Sequence, residues 1–234
     1  MSLDKTAFLF DLDGTLVDSV YQHVLAWKES LDAEGVKVSV WRIHRRIGMS
    51  GGLFLNMLLR ETGVALSDDS LLRLRHNHAE AFGRLAAADA VQPLPGAREL
   101  LDFLTENKFP WAIATSGRME TARHNLAALG VDPTKVPVVT RDQVRHAKPD
   151  PDLFIAAADR LGVDIRNALV IGDSVWDMLA AQRARALGVG LLSGGYGIAE
   201  LQEAGAFRVY EDPADMLHHI DEIARCAARS SHPA

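Results

Sequence analysis

The sequence predicts an α/β protein, a doubly wound parallel sheet with an all-helical insertion after its first strand. Three observations predict it. Short apolar runs alternate with amphipathic stretches, as a parallel sheet covered by helices requires. From about residue 18 to 88 that alternation stops and only helical spacing remains. Polar and acidic residues gather just past the ends of the apolar runs, on the rim where open sheets of this class bind ligands.

The first strand is read at Ala7–Phe10 and runs into Asp11-Leu12-Asp13-Gly14-Thr15. If the strand continued, Asp11 and Asp13 would share a face and repel. Gly14 and Thr15 break it and leave the pair at its C-terminal end, where a cation between the carboxylates would remove the repulsion. Val20, Val24, Trp27 and Leu31 then repeat at steps of three and four, with Asp18 or Ser19 as the N-cap of a helix. Leu53–Leu59 and Leu71–Ala87 also read as helices, and Pro93-Leu94-Pro95-Gly96 closes the insertion. Residues 1–17 and 89–234 are therefore expected to form the core and residues 18–88 a lid over its strand ends. Residues near 15–18 and 89–95, the two connections, are expected to act as a paired hinge. A helix at Ala97–Asn107 buries Leu100, Leu101 and Leu104, and one at Pro151–Leu161 buries Phe154, Ala157 and Ala158. Further strands are read at Trp111–Ala114, Val136–Val139, Ala168–Ile171 and Leu187–Leu192. Ala227–Ala234 reads as a frayed tail, and Met1-Ser2-Leu3 carries no weight.

A net charge of -6 speaks against a nucleic-acid surface, and the basic cluster Arg42-Ile43-His44-Arg45-Arg46 is too short to reverse that. Cys226 is the only cysteine, which excludes an intrachain disulfide and suits a reducing cytoplasm. No signal peptide and no apolar run near the length of a membrane span is read. No nucleic acid, membrane or protein partner is inferred.

Three more strand ends carry chemistry: Thr115 and Ser116 before Gly117, Lys148 ahead of Pro149, and Asp173 after Gly172 with Asp177 four residues on. Parallel strands bring these ends to one rim. Asp11, Asp13, Asp173 and Asp177 then make a hard-oxygen cluster without His or Cys, which favours Mg²⁺ over zinc. Lys148 and Thr115 add a cation and a hydroxyl. This is a set for phosphoryl transfer, in which one carboxylate attacks phosphorus and a second handles the proton.

In order and type, Asp11-Leu12-Asp13-Gly14-Thr15, Thr115, Lys148-Pro149 and Gly172-Asp173 with Asp177 resemble the haloacid dehalogenase-like hydrolase superfamily over nearly the whole chain. The resemblance implies a Rossmann-like core with a helical cap. It implies Asp11 as nucleophile, Asp13 as general acid and base, and Thr115, Ser116 and Lys148 as phosphate-holding residues. Mg²⁺ would take the Asp11 carboxylate, the Asp13 main-chain carbonyl and Asp173, with Asp177 in support. Asp13 also separates this chain from the superfamily's dehalogenases, which lack the second Asp.

The segments "DSVYQHVLAWK" and "RRIGMSGG" resemble phosphoglycolate phosphatase-like proteins and beta-phosphoglucomutase. Where the mutase carries cations for a second phosphate, this chain has Ile47 and Gly51, so hydrolysis of a small phosphomonoester is favoured over phosphomutase chemistry. His23, Arg45, Arg46 and Ser50 are candidate cap residues facing substrate. His23 stands where the mutase has a gating histidine, although a packing role is the competing reading. Trp27 and the Leu53–Leu59 stripe read as helix packing, and His76, His78, His218 and His219 as surface residues. A receiver-like phosphorylatable switch would carry its acceptor Asp mid-chain and need no lid. A dinucleotide-binding protein would show a glycine fingerprint after the first strand, and none is present.

Overall fold

Six parallel strands form one sheet in the computed structural model, which describes residues 6–88 and 91–223. Met1–Leu3, Cys226 and Ala227–Ala234 lie outside the described residues. Strands β1 (Ala7–Phe10), β2 (Trp111–Ala114), β3 (Val138–Val139), β4 (Ala168–Gly172), β5 (Leu187–Leu191) and β6 (Ala206–Tyr210) run in the order β3-β2-β1-β4-β5-β6. The chain builds outward from β1 to β3, then returns to lay β4 on the other side of β1. The crevice at this reversal, beyond the carboxyl ends of β1 and β4, is the switch point where such sheets take ligands.

Side-chain alternation splits the core in two. Phe8, Phe10, Ile113, Leu169 and Ile171 face one layer, with Leu100, Leu101 and Leu104 of α5 (Ala97–Glu106) packed on them. Leu9, Ala112, Ala114 and Val170 face the other, against Leu153, Phe154 and Ala157 of α7 (Asp152–Leu161). Both faces are covered, so the strands read as unbroken apolar runs.

β3 begins later than its apolar run, at Val138, because Pro137 has no N–H for the ladder; only its carbonyl pairs, with Ile113 N at 3.0 Å. β6 escapes a search for apolar runs because it is an edge strand with Phe207 and Arg208 exposed.

Between β1 and α5 the described chain is helical: α1 (Val20–Ala33), α2 (Val40–His44), α3 (Gly51–Thr62) and α4 (Asp68–Ala88). These helices share a separate core in which Val24, Trp27 and Leu31 meet Phe54, Leu58 and Leu74. The far half of α4 departs from it, since Ala81, Phe82 and Ala86 pack into the first layer beside the sheet. The two connections pair with each other: Val17 bridges Pro93, Asp18 N donates to Gln92 O at 2.9 Å, and Leu94 N donates to Leu16 O at 2.9 Å.

Candidate active site

β1 stops at Phe10, one residue before the acidic pair, so the shared-face argument for Asp11 and Asp13 does not apply. Gly14, at φ +85, turns the chain, and a Cβ there would lie 2.6 Å from Asp173 Oδ2. The two carboxylates diverge from that turn. The Asp11 side chain meets the Lys148 ammonium, while Asp13 points towards the helical insertion.

Lys148 is fully buried, its Nζ bonded to Asp11 Oδ1 and 2.8 Å from Asp177 Oδ1. Asp177, in the first turn of α8 (Val175–Ala184), also accepts from Ser174 N and Ser174 Oγ. Asp173 follows β4 and accepts from Thr15 Oγ1 at 3.0 Å. Oxygens of Asp11, Asp173 and Asp177 all lie within 4.8 Å of one another. Burial pushes the Asp11 carboxyl up to about 7; Lys148 pulls against that, while Asp177 and Asp13 add to it. Burial also holds Asp173 well above the carboxylate range, with Asp177 and Asp11 adding to the rise. Burial works against the Lys148 ammonium, yet Asp11 and Asp177 outweigh it and keep its pKa raised. Three buried carboxylates facing one cation leave negative charge to be met. An all-oxygen set of this kind fits a hard divalent cation.

Asp13 is held differently. Its Oδ1 accepts from Ser19 Oγ at 2.6 Å and from Asn125 Nδ2, and His23 Nε2 lies 3.3 Å away. Burial opposes ionisation, but the His23 charge and hydrogen bond, with the Ser19 bond, carry the Asp13 carboxyl below its ordinary value. Thr115 Oγ1 lies 3.5 Å from Asp13 Oδ2 and accepts from Gly117 N at 2.9 Å. Ser116 Oγ is buried without a hydrogen-bond partner among the described residues.

Asp11, Asp13, Thr115 and Ser116 open onto one cavity of about 510 Å³, lined on the other side by His23 and Arg46 among others. The remaining cap candidates lie elsewhere. Arg45 bonds to Glu200, in the helix Ile198–Glu203, and sits over the ring of Tyr196 in the loop after β5, fastening the insertion there instead of lining the cavity. His44 Nε2 reaches Gly194 O on the same loop at 2.8 Å. Arg46 lines the cavity but bonds Glu61 and Arg42 O. Ser50 meets the site through its backbone, donating N–H to Lys148 O at 3.2 Å, while its Oγ caps α3. Trp27 both packs on Phe54 and lines the cavity.

Three residues were not assigned these positions by the sequence reading. Ser19 occupies the N-cap position of α1, yet its hydroxyl goes to Asp13 and not to the helix. Asn125, on α6 (Met119–Leu129), is buried within the stripe Ala122, Leu126 and Leu129. A polar residue in an apolar stripe is the signal that points to it. His78 is not a surface residue: it stacks on Trp27 at 4.0 Å, and its Nε2 is 3.2 Å from His23 Nδ1. It stands four residues after Leu74 and four before Phe82, on the buried face of α4. His76, by contrast, is exposed, although it borders the cavity mouth.

Residues 5–185 match the family model described as haloacid dehalogenase-like hydrolase. The chain is 32% identical over 222 residues to hexitol phosphatase A of Escherichia coli (strain K12), covering 92% of each chain. It is 30% identical over 245 residues to the phosphoglycolate phosphatase of Rhodospirillum rubrum, covering 97% of this chain and 99% of that one. The crystal structure of a hydrolase from Pseudomonas syringae superposes with a TM-score of 0.91 at 59% identity, covering 94% of this chain and all of that one.

Proposed function

This chain belongs to the haloacid dehalogenase-like hydrolase family and is a phosphatase, and we propose that it hydrolyses a small cytoplasmic phosphomonoester through an aspartyl-phosphate on Asp11, with Mg²⁺ as cofactor. The substrate is a sugar phosphate or a phosphoglycolate-like acid, as the names of its relatives suggest. The observation that carries the mechanism is the buried Asp11 carboxylate, paired with Lys148 and opening onto the same cavity as Asp13 and Thr115.

In this reading an Asp11 oxygen attacks phosphorus and the bond to the leaving oxygen breaks. Asp13 gives its proton to that oxygen. Then, as a carboxylate, it takes a proton from water whose oxygen attacks the aspartyl-phosphate, releasing phosphate and restoring Asp11. The lowered pKa of Asp13 keeps it ionised and able to accept the water proton in the base step. A phosphoryl dianion beside it raises that pKa by like-charge repulsion and suits the acid step. Thr115, Ser116 and Lys148 hold the phosphoryl oxygens. Mg²⁺ bound by Asp11, Asp173 and the Asp13 main-chain carbonyl, with Asp177 in support, would offset charge on those oxygens. The insertion, residues 18–88, acts as a cap on the paired connections around Val17 and Pro93, excluding bulk water when closed. Ile47 and Gly51, which line the cavity without charge, favour hydrolysis over transfer to a second phosphorylated position.

The test is a screen of small phosphomonoesters with the purified, metal-stripped protein, with and without Mg²⁺. Phosphate release from one or more esters only when Mg²⁺ is restored is the expected result. Full activity after chelation, with metal content checked, would overturn the metal assignment, and no release from any ester would overturn the reaction.

Magnesium should also change stability in a pH-dependent way. Folded pKa values above the ordinary carboxylate value mean that Asp11 and Asp173 hold protons in the folded chain that the unfolded chain has lost. Their stabilising contribution is present below the unfolded pKa and disappears as pH rises through the folded one, about 7 for Asp11. A cation competes with those protons. The rise in Tm on adding Mg²⁺ is therefore expected to be larger near ~pH 8 than near ~pH 5. Thermal melts of the stripped protein, with and without Mg²⁺ at both values, read this directly.

A further inference from the structure

We propose that the loop after β5 positions the Asp173 carboxylate, and that His44 and Arg45 of the insertion hold this loop in place, so that cap docking strengthens Mg²⁺ binding. The inference rests on the metal assignment proposed above and concerns residues outside the motifs that carry it.

Asp11 and Asp177 repel the charge of Asp173, so its position has to be set by other neighbours. One is Thr15, whose Oγ1 donates to Asp173 Oδ1 at 3.0 Å. The others are two glycines that close on Oδ2 from separate stretches of chain. A Cβ on Gly14 would lie 2.6 Å from that oxygen. A Cβ on Gly194 would overlap it and come within 2.6 Å of the Asp173 Cβ. The slot stays open only because neither residue has a side chain. Gly194 is not among the glycines at positive φ, so it is contact with Asp173, and not the backbone, that excludes a side chain there. Ser193 Oγ donates to Gly14 O at 2.6 Å and ties the two walls of the slot together.

The other side of this loop is held by the insertion. His44 Nε2 lies 2.8 Å from Gly194 O; a carbonyl only accepts, so Nε2 carries a proton and donates it. The Tyr21 ring stacks on His44 at 5.3 Å with 2° between the planes, which fixes the direction of that N–H. Tyr196 Oη donates to Arg45 O at 2.8 Å, while the Arg45 guanidinium lies over the Tyr196 ring and bonds Glu200. Gly194 thus takes the cap on its carbonyl and the Asp173 carboxylate against its Cα. When the cap shifts, the loop moves with it, and the loop is one wall of the slot. Linkage makes the effect mutual: the factor by which cap docking tightens Mg²⁺ is the factor by which Mg²⁺ tightens cap docking.

The experiment is calorimetric titration of Mg²⁺ into the metal-stripped protein, with a thermal melt of each variant. Wild type is compared with Gly194→Ala, Ser193→Ala, Arg45→Met, the double variant Arg45→Met/Gly194→Ala, and Gly197→Ala. Gly197 lies in the same loop, but a Cβ there would meet only Glu200, at 3.5 Å, an ordinary contact. Gly194→Ala is expected to weaken Mg²⁺ binding ~10–100-fold, the loss seen when a residue that orients a metal ligand is removed. Arg45→Met keeps the length of the side chain and removes its contacts with Tyr196 and Glu200. It should weaken binding about fivefold. In the Gly194→Ala background it should add nothing, because the slot is already lost. Gly197→Ala should match wild type. Unchanged affinity in Gly194→Ala, or an equal loss in Gly197→Ala, would overturn the positioning role. Unchanged affinity in Arg45→Met, or its full effect added in the double variant, would overturn the coupling to the cap. If the melt shows that Gly194→Ala does not fold, Ser193→Ala carries the test. It removes one hydroxyl, and a loss of about tenfold is expected, with no loss overturning the positioning role. A wild-type protein that takes up no Mg²⁺ would instead count against the metal assignment itself, a failure the same titration tells apart from that of the loop.

Discussion

Asp11→Asn is expected to abolish turnover while leaving the protein folded. An amide oxygen cannot displace the leaving group to give a stable acyl phosphate, so the nucleophilic route closes entirely. Loss of more than ~10⁴ in kcat is expected, because no neighbouring group replaces a covalent step. Stability should hold or rise. Burial makes the Asp11 carboxylate costly, and Asn removes the charge while Lys148 keeps Asp177 as its partner. Asp13→Asn gives a contrast. Its rate loss is that of a proton-transfer group, ~10²–10⁴. But the Asp13 charge is favoured by the fold, through His23 and Ser19, so this variant should lose stability where Asp11→Asn does not. Single-turnover kinetics with matched thermal melts test both. Near-native activity in Asp11→Asn would remove the nucleophile from the scheme.

The largest effect on stability is expected at Lys148. Its ammonium is fully buried among Asp11 and Asp177, with its Nζ 4.9 Å from the Phe154 ring. Lys148→Met keeps most of the volume and removes the only cation in contact with these carboxylates among the described residues. Breaking one side of such a buried pair costs ~3–5 kcal/mol, since the opposing charge is left without compensation. The deficit should depend on pH with a definite sign. The stranded carboxylates regain neutrality by taking up protons, so the loss relative to wild type is smaller near ~pH 5 than near ~pH 8. Asp11→Asn in the Lys148→Met background should restore part of it, a non-additivity that separates lost charge pairing from lost packing. Urea unfolding at both pH values measures each quantity. A pH-independent deficit would mean that packing, not charge, accounts for the cost.

How far the site could be read from sequence follows from which residues local chain geometry positions. Asp11 and Thr115 directly follow an apolar run, Asp173 follows one across Gly172, and parallel pairing brings all such ends together. Alternation of runs and helices was therefore enough to place them on one rim. Asp177 was reachable for the same reason, since its spacing from Asp173 is that of one helical turn. The insertion behaved differently. Its helices were legible from periodicity, but periodicity gives a face and not its neighbour. Arg45 and Arg46 are adjacent in one basic cluster, yet one fastens to Glu200 and the other borders the cavity. No local rule separates them.

By itself, the sequence determined the α/β class, the helical interruption after β1 and the acidic rim with its lysine. All of these depend on local patterns: run length, period, and the residues that punctuate strands. Tertiary structure alone decided which carboxylate pairs with Lys148, that Ser19 and Asn125 hold Asp13, and that His78 stands behind His23. Those contacts join residues up to 137 positions apart, as in Lys148 with Asp11. Their energies come from burial, which raises Asp11 and depresses His78 according to what surrounds each group. A titratable side chain carries its chemistry in the sequence, but its desolvation and its partners exist only once the chain has closed around it.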